Sequence, residues 1–422
     1  MTDSTSPAPV RQAALAFIFI TVALDMLAVG MIVPILPKLV VSFLNGDTVR
    51  SAEIYGLFGT VWALMQFGAS PVLGALSDRF GRRPVILVSN FGLGLDYVLM
   101  ALAPSLAWLF VGRILSGITA ASISTAGAYI ADVTPPEKRA ASFGMLGAAF
   151  GLGFVLGPAL GGMLGATDPR LPFWIAAGLS LLNGMYGLFV LPESLPRERR
   201  AAFSWRRANP LGSLKLLRSN RDLFGLATVT FLSHLSHGVL ISVYVLYVGY
   251  RYGWDERTVG LTLAGSGIAS TVVQAGLVRP IVARLGERRT LLLGLGFGVV
   301  GFALYGLATT GVGFWMAIPV MALWGLAGPA AQGLMTRRVG ASEQGQLQGA
   351  NSSLMGISSL IGPILFTQTF AWSINPDTGW HLPGAPFLLA AVLLACAALQ
   401  AWRVTRPVEQ EAEVIPPPAP TM

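Results

Sequence analysis

The stretch Gly74-Ala-Leu-Ser-Asp-Arg-Phe-Gly-Arg-Arg-Pro84 is a charged loop set between two apolar runs, and it recurs in weaker form 205 positions later. Arg79, Gly81 and Arg83 return as Arg284, Gly286 and Arg288, and Leu87 returns as Leu292. The same offset carries Gly144 to Gly349 and Gly157-Pro158 to Gly362-Pro363. A register held over this span means two tandem halves with almost no net insertion between them. It predicts an all-α integral membrane protein of twelve transmembrane helices in two pseudo-symmetric six-helix bundles.

Composition agrees. The 422-residue chain is 54% hydrophobic and only 11% charged, with a mean hydropathy of +0.65. A soluble domain carries about 25% charged residues. Fifty glycines suit close helix packing in a bilayer. The single cysteine, Cys396, excludes an intrachain disulfide and reads as a small hydrophobe of the last apolar segment. No residue spacing points to a metal site.

Apolar spans are expected near 13–36, 53–73, 85–104, 106–131, 140–165 and 171–191, then 222–248, 258–280, 290–309, 313–335, 345–371 and 383–402. The first lacks a small-residue cleavage site after it and reads as a retained helix. Of the 28 Lys and Arg residues, 22 fall at the two chain ends or in the even-to-odd loops. The net charge of +8 is therefore a topology signal, placing both termini in the cytoplasm of a bacterial inner membrane, and does not mark a nucleic-acid surface. The expected units are a disordered lead (1–12), a first bundle (13–191), an Arg- and Pro-rich cytoplasmic linker (192–221), a second bundle (222–403) and a disordered tail (404–422).

Asp25 interrupts the first span, where a carboxylate is costly unless it faces a cavity or a partner. It is a candidate proton site, or else half of a structural ion pair with Arg113. Asp96, midway along the third span, is a second candidate proton carrier or a helix-packing hydrogen-bond acceptor. Arg113 is a fixed cation that would favour an ionised Asp25 and let proton loading weaken the pair; the alternative is snorkelling to the outer surface. His234 and His237 share a face of the seventh span and suit proton relay, substrate hydrogen bonding or plain packing. Gln66 and Gln274 offer neutral hydrogen bonds to a ligand or between helices. The fifth span carries glycines at 147, 151, 153, 157 and 161, with Pro158 permitting a bend; it reads as a moving contact or as a tight-packing helix. In the first loop Asp78 with Arg79, Arg82 and Arg83 can bridge to the opposite bundle and latch one conformation, or simply set topology.

With these residues in hand, the chain strongly resembles the major facilitator superfamily and, within it, the drug:proton antiporters related to tetracycline exporters. Gly74-x-Leu-x-Asp-Arg-x-Gly-Arg-Arg-Pro84 is similar to the loop motif between helices 2 and 3, and Arg113-x-x-x-Gly117 to the helix-4 motif. Gly147 through Gly162 resembles the antiporter motif of helix 5. The subfamily resemblance adds Leu24-Asp25 with Pro34-x-Leu-Pro37, Leu95-Asp96-Tyr97, Ile130-Ala-Asp132, Gly286-Glu-Arg-Arg289 and Gln344-Gly-Gln-Leu-Gln-Gly349, covering roughly residues 13–402. It implies alternating access around a mid-membrane cavity, with Asp25, Asp96 and Arg113 coupling protons. Gln66, Gln274, His234, His237 and Ser270 would line the substrate site. Gly74, Asp78, Arg79, Gly81, Arg82, Arg83, Asp132, Gly153, Gly157 and Pro158 would gate it.

Two positions depart from the better-known tetracycline exporters. Ser270 stands where they carry a helix-8 histidine, and Gly298 where they carry a helix-9 aspartate. The expected partners are a small amphipathic substrate, protons and the lipid bilayer, with one chain sufficient for function. No bound cofactor is expected; if tetracycline is carried, the resemblance implies a magnesium chelate in which the metal travels as cargo. An uncoupled facilitator and a transport-dead receptor are the competing readings. Three histidines without a hydrolase or metalloprotease motif argue against an enzyme.

Overall fold

The computed structural model describes residues 8–119, 122–201, 203, 212–218, 221–340 and 343–406, and within them it is helical, with no strand. An apolar run in a bilayer must satisfy its backbone internally, and the helix is the element that does so within one segment. The first half contains α1 (Ala8–Ile32), α2 (Leu36–Phe43), α3 (Thr48–Phe80), α4 (Arg82–Leu102), α5 (Leu106–Thr119), α6 (Ser122–Val133), α7 (Pro136–Gly165) and α8 (Leu171–Val190). The second contains α9 (Arg221–Ser242), α10 (Tyr244–Tyr252), α11 (Glu256–Val272), α12 (Val278–Leu307), α13 (Gly311–Ala322), α14 (Ala327–Thr336), α15 (Gln344–Ile374) and α16 (Ala385–Val404). Helix α1 starts at Ala8, inside the stretch read as a disordered lead; residues 1–7 and 407–422 lie outside the described residues, as does most of 202–211.

Among the described residues, ten helical segments are long and apolar enough to cross a membrane. One of them, Glu256–Leu307, has 52 residues, more than twice the roughly 20 that a bilayer core requires. It reverses at Gly286, whose φ of 75° and ψ of 165° are not helical. Gly81 turns the chain between α3 and α4 in the same way, with φ 109° and ψ 160°. A Cβ is disfavoured at such φ, so the two recurrent glycines of the loop repeat are backbone requirements. The span expected at 106–131 is covered by α5 and α6.

Several spans depart from regular helix. The first continues past a turn at Pro34 into α2, so that it reaches Phe43. The seventh breaks at Val243 between α9 and α10. The eighth passes through a π-helical turn at Val273–Leu277, and the tenth through a 3₁₀ turn at Leu323–Leu326.

Packing repeats with the sequence. In the first half α7 crosses α1 backbone to backbone: a Cβ on Gly157 would lie 2.7 Å from Gly30 Cα. In the second half α15 crosses α9 at Gly362, 3.5 Å from Gly238 Cα by the same measure. Ion pairs repeat too. Arg82 Nε lies 3.2 Å from Asp132 Oδ2, and 205 positions on, Glu287 Oε1 lies 3.0 Å from Arg337 Nη2. The bridge is conserved in place and inverted in sign.

Candidate functional site

The charged centre lies in the first bundle. Asp25 on α1 and Asp96 on α4 are 2% and 1% exposed. Asp96, read from the sequence as a second carrier, is the acid that interacts electrostatically with Arg113 of α5, together with Tyr55 and Tyr97. Tyr97 lies in the field of both acids and of Arg113, linking Asp25 to the cluster. The Arg113 guanidinium sits over the Trp62 ring, 5.3 Å from its centroid, so it is held in the protein interior by cation–π attraction. Snorkelling is thereby excluded as its resting pose.

Side chains that sequence reasoning missed complete the cluster. Trp62 Nε1 donates to Ser116 Oγ over 3.3 Å, which leaves the Ser116 proton for the neighbouring Asp96. Gly112 brings the α5 backbone against that carboxylate, since a Cβ there would lie 2.9 Å from Asp96 Oδ1. Neither Asp96 oxygen has a partner of standard hydrogen-bond geometry among the described residues. The signal in the sequence was slight: Gly112 directly before Arg113, and Ser116 one turn after Gly112.

The second bundle offers different chemistry. The 205-residue offset puts Thr230, Gly301 and Ile318 where the first half has Asp25, Asp96 and Arg113. Its acids, Asp222, Asp255, Glu256, Glu287, Glu343 and Asp377, lie at helix ends or in loops. His237 is exposed on α9 and faces the Trp324 ring at 5.9 Å; His234 is half-buried one turn away. Gln274 sits in the π turn beside Gly325, and half-buried Ser270 precedes that turn. Half-buried Gln66 lies where α3 meets α5, its backbone nitrogen 3.4 Å from the Cβ position of Gly117.

The bundles meet along two seams. In one, α3 packs on α15 from Gly56 against Thr367 to Phe67 against Gly356, with Thr60 Oγ1 donating to the Leu360 carbonyl at 3.4 Å. In the other, α7 packs on α11, with Gly162 and the Pro158 carbonyl against Gly260 and Val155 against Gly267. The Lys38 end is tied across the halves. Lys38 Nζ donates to the Trp254 carbonyl at 2.7 Å and lies 3.3 Å from Glu256 Oε1. Next to them Asp255 caps α11 by accepting from the Thr258 N–H at 2.8 Å, and the hydrogen bonds from Thr258 hold its carboxyl below the usual range.

The Asp78 end is not tied in this way. Asp78 pairs with Arg82 at 2.6 Å within its own bundle, and Arg82 also donates to Ser77 Oγ at 2.6 Å and to Asp132. Arg79 lies over Phe80, Arg83 donates to the Leu188 carbonyl, and the Gly74 carbonyl accepts from Ser77. Among the described residues no ion pair at this end joins the bundles. The bridge from Asp78 to the opposite bundle is therefore not the pairing of this conformation.

The glycine face of α7 divides as well. Gly153, Gly157 and Gly161 pack on α1, inside the first bundle, while Gly147 and Gly151 face open space. Towards α11 the motif presents Val155, Pro158 and Gly162. The moving contact is thus narrower than the motif.

An all-helical membrane protein of repeated halves, tied across the halves at the Lys38 end and with buried charges in one bundle, is built as a transporter. The chain belongs to the Major Facilitator Superfamily, whose family model matches residues 18–363 and 226–421. This is a family of transporters rather than enzymes. The chain is 40% identical over 381 residues to the tetracycline resistance protein, class C, of Escherichia coli, covering 89% of this chain and 95% of that protein. It is 39% identical to the class G protein of Vibrio anguillarum over 366 residues, 85% of this chain and 91% of the relative. Among solved structures it superposes on a bacterial homologue of the human lysosomal transporter Spinster, in an inward-facing and unoccupied conformation. That match has a TM-score of 0.74 and 17% identity, and covers 94% of this chain and 98% of the other.

Proposed function

We propose that this protein is a proton-coupled exporter that exchanges a cytoplasmic amphipathic small molecule, of the tetracycline class as a magnesium chelate, for external protons. The observation that carries the reading is the Asp96–Arg113–Trp62–Ser116 cluster, buried in a bundle that also buries Asp25. A carboxylate held beside a fixed cation has two stable states, ionised and paired or protonated and released. Protonation removes the negative charge, weakens its attraction to Arg113 and frees that side chain to rearrange. Substrate and proton that favour opposite arrangements oppose one another's binding, as antiport requires. The resemblance of the relatives supports the tetracycline class, and the cytoplasmic side is taken as the Asp78 end, where the basic loops lie.

The test is reconstitution in proteoliposomes with an internal pH-sensitive dye and an imposed proton gradient. Tetracycline with magnesium should trigger proton flux in the native protein. Asp25→Asn and Asp96→Asn should each lower pH-driven uptake at least tenfold while leaving substrate exchange without a gradient measurable. Uphill transport with unchanged pH dependence in both variants would remove the carboxylates from the coupling.

A further inference from the structure

The second bundle has no carboxylate at position 298, and the structure shows what fills the space. A Cβ on Gly298 would lie 2.8 Å from Trp324 Cδ1 and 2.7 Å from Leu394 Cδ1. The indole thus rests directly on the glycine, leaving no room for a side chain. Phe302 supports it in a T-shaped contact at 5.3 Å, and His237 approaches at 5.9 Å with the rings 38° apart. Trp324 nevertheless stays half-buried, and His237 is exposed on the same side.

The backbone around the indole is irregular in two adjoining places. Trp324 lies in the 3₁₀ turn Leu323–Leu326, and Gln274 in the π turn Val273–Leu277; Gln274 Cγ lies 3.6 Å from the Cβ position of Gly325. Such interruptions cost regular hydrogen bonds and persist in membrane helices where they are buried in protein or line a cavity. Two of them side by side, presenting an amide, an imidazole and an indole, form a surface that recognises ring shape rather than charge.

We propose that Trp324, with His237 and Gln274 at its rim, is a stacking subsite for a planar aromatic part of the transported molecule. The proposal rests on the exporter reading and assigns selection of ring systems to this bundle, opposite the charged wall of the first. Aromatic faces hold planar rings with little regard to their substituents, so the subsite favours planarity over any one ring system.

The experiment measures equilibrium binding and proton flux on the same purified protein. Tetracycline with magnesium and ethidium serve as planar probes, and deoxycholate as a non-aromatic one. Trp324→Leu should weaken binding of both planar probes about tenfold or more, Trp324→Phe severalfold, and neither should change deoxycholate binding more than about twofold. Gly298→Ala, which pushes the indole from its seat without removing it, should also weaken the planar probes selectively. Thermal unfolding identifies any variant that has lost its fold; Trp324→Phe and Gly298→Ala then carry the test. Equal losses for all three probes in folded variants, no loss for the planar pair, or failure of the native protein to bind either planar probe would overturn the subsite. Binding that follows this pattern without proton flux would keep the subsite and remove the exporter.

Discussion

The sharpest consequence of the geometry concerns Lys38. Its ammonium makes two contacts across the bundles, the 2.7 Å hydrogen bond to the Trp254 carbonyl and the 3.3 Å approach to Glu256. Both are lost when the bundles part at that end. A hydrogen bond to a charged group contributes about 1.5–3 kcal/mol. An ion pair this accessible, with side chains 22% and 25% exposed, adds about 0–1 kcal/mol. Water recovers part of both once the ammonium is released, so the net preference for closure at the Lys38 end is about 1–2 kcal/mol, a factor of about 5–30. Lys38→Met keeps the apolar stem and removes the charge. A resting population of about 99:1 would fall to between about 95:5 and 3:1. Spin labels at Asn45 and Asp377, on loops of different bundles, would report this in a Cys396→Ser background as a growing long-distance component. The charge exchange Lys38→Glu with Glu256→Lys should restore part of the closed population. An unchanged distance distribution in Lys38→Met would show that the contact is incidental to closure.

Two further outcomes follow from packing and charge. Gly157→Ala sets a methyl against Gly30 and the Leu27 carbonyl and should destabilise by about 1–3 kcal/mol, whereas Gly147→Ala meets open space and should be neutral or stabilising by about 0.5–1 kcal/mol; thermal unfolding in detergent compares them. Equal melting temperatures would refute the α1–α7 contact. Arg82→Glu places like charges beside Asp78 and Asp132 and should speed hydrogen exchange in 77–83 and 130–134, with Asp132→Arg in the same chain recovering much of the protection. Failure of the double variant to recover would mean that backbone contacts to the linker hold this loop.

The membrane fold was legible because two glycine turns, at Gly81 and Gly286, must recur wherever the halves repeat, and because a bilayer demands long apolar runs. The irregular turns were not. A π turn differs from α-helix by one residue in hydrogen-bond register, and Val273-Gln-Ala-Gly-Leu277 carries no composition that announces it. The acids and Arg113 were visible as charges in apolar surroundings, but their grouping was not, since it depends on how α3, α4 and α5 cross. The sequence suggests Asp25 as a neighbour of Arg113; the structure also sets Asp96 beside it and adds Trp62, an apolar residue of α3 that no charge pattern marks.

The inverted bridge shows most clearly what matching by identity overlooks. Arg82 and Glu287 are equivalent, as are Asp132 and Arg337, yet compared position by position each pair counts as a mismatch. What has been kept is the interaction, because tying the loop after one helix to the end of another needs opposite charges in either order. The same tolerance does not extend to the membrane interior, where a lone charge is costly. There the first half keeps Asp25, Asp96 and Arg113, and the second has Thr230, Gly301 and Ile318. Symmetry therefore governs the scaffold that both bundles share, and asymmetry the surfaces they turn towards the cargo. In the proposed exporter, one wall would change its charge state while the other kept a fixed aromatic platform, so that proton binding altered the site without dismantling recognition of the ring.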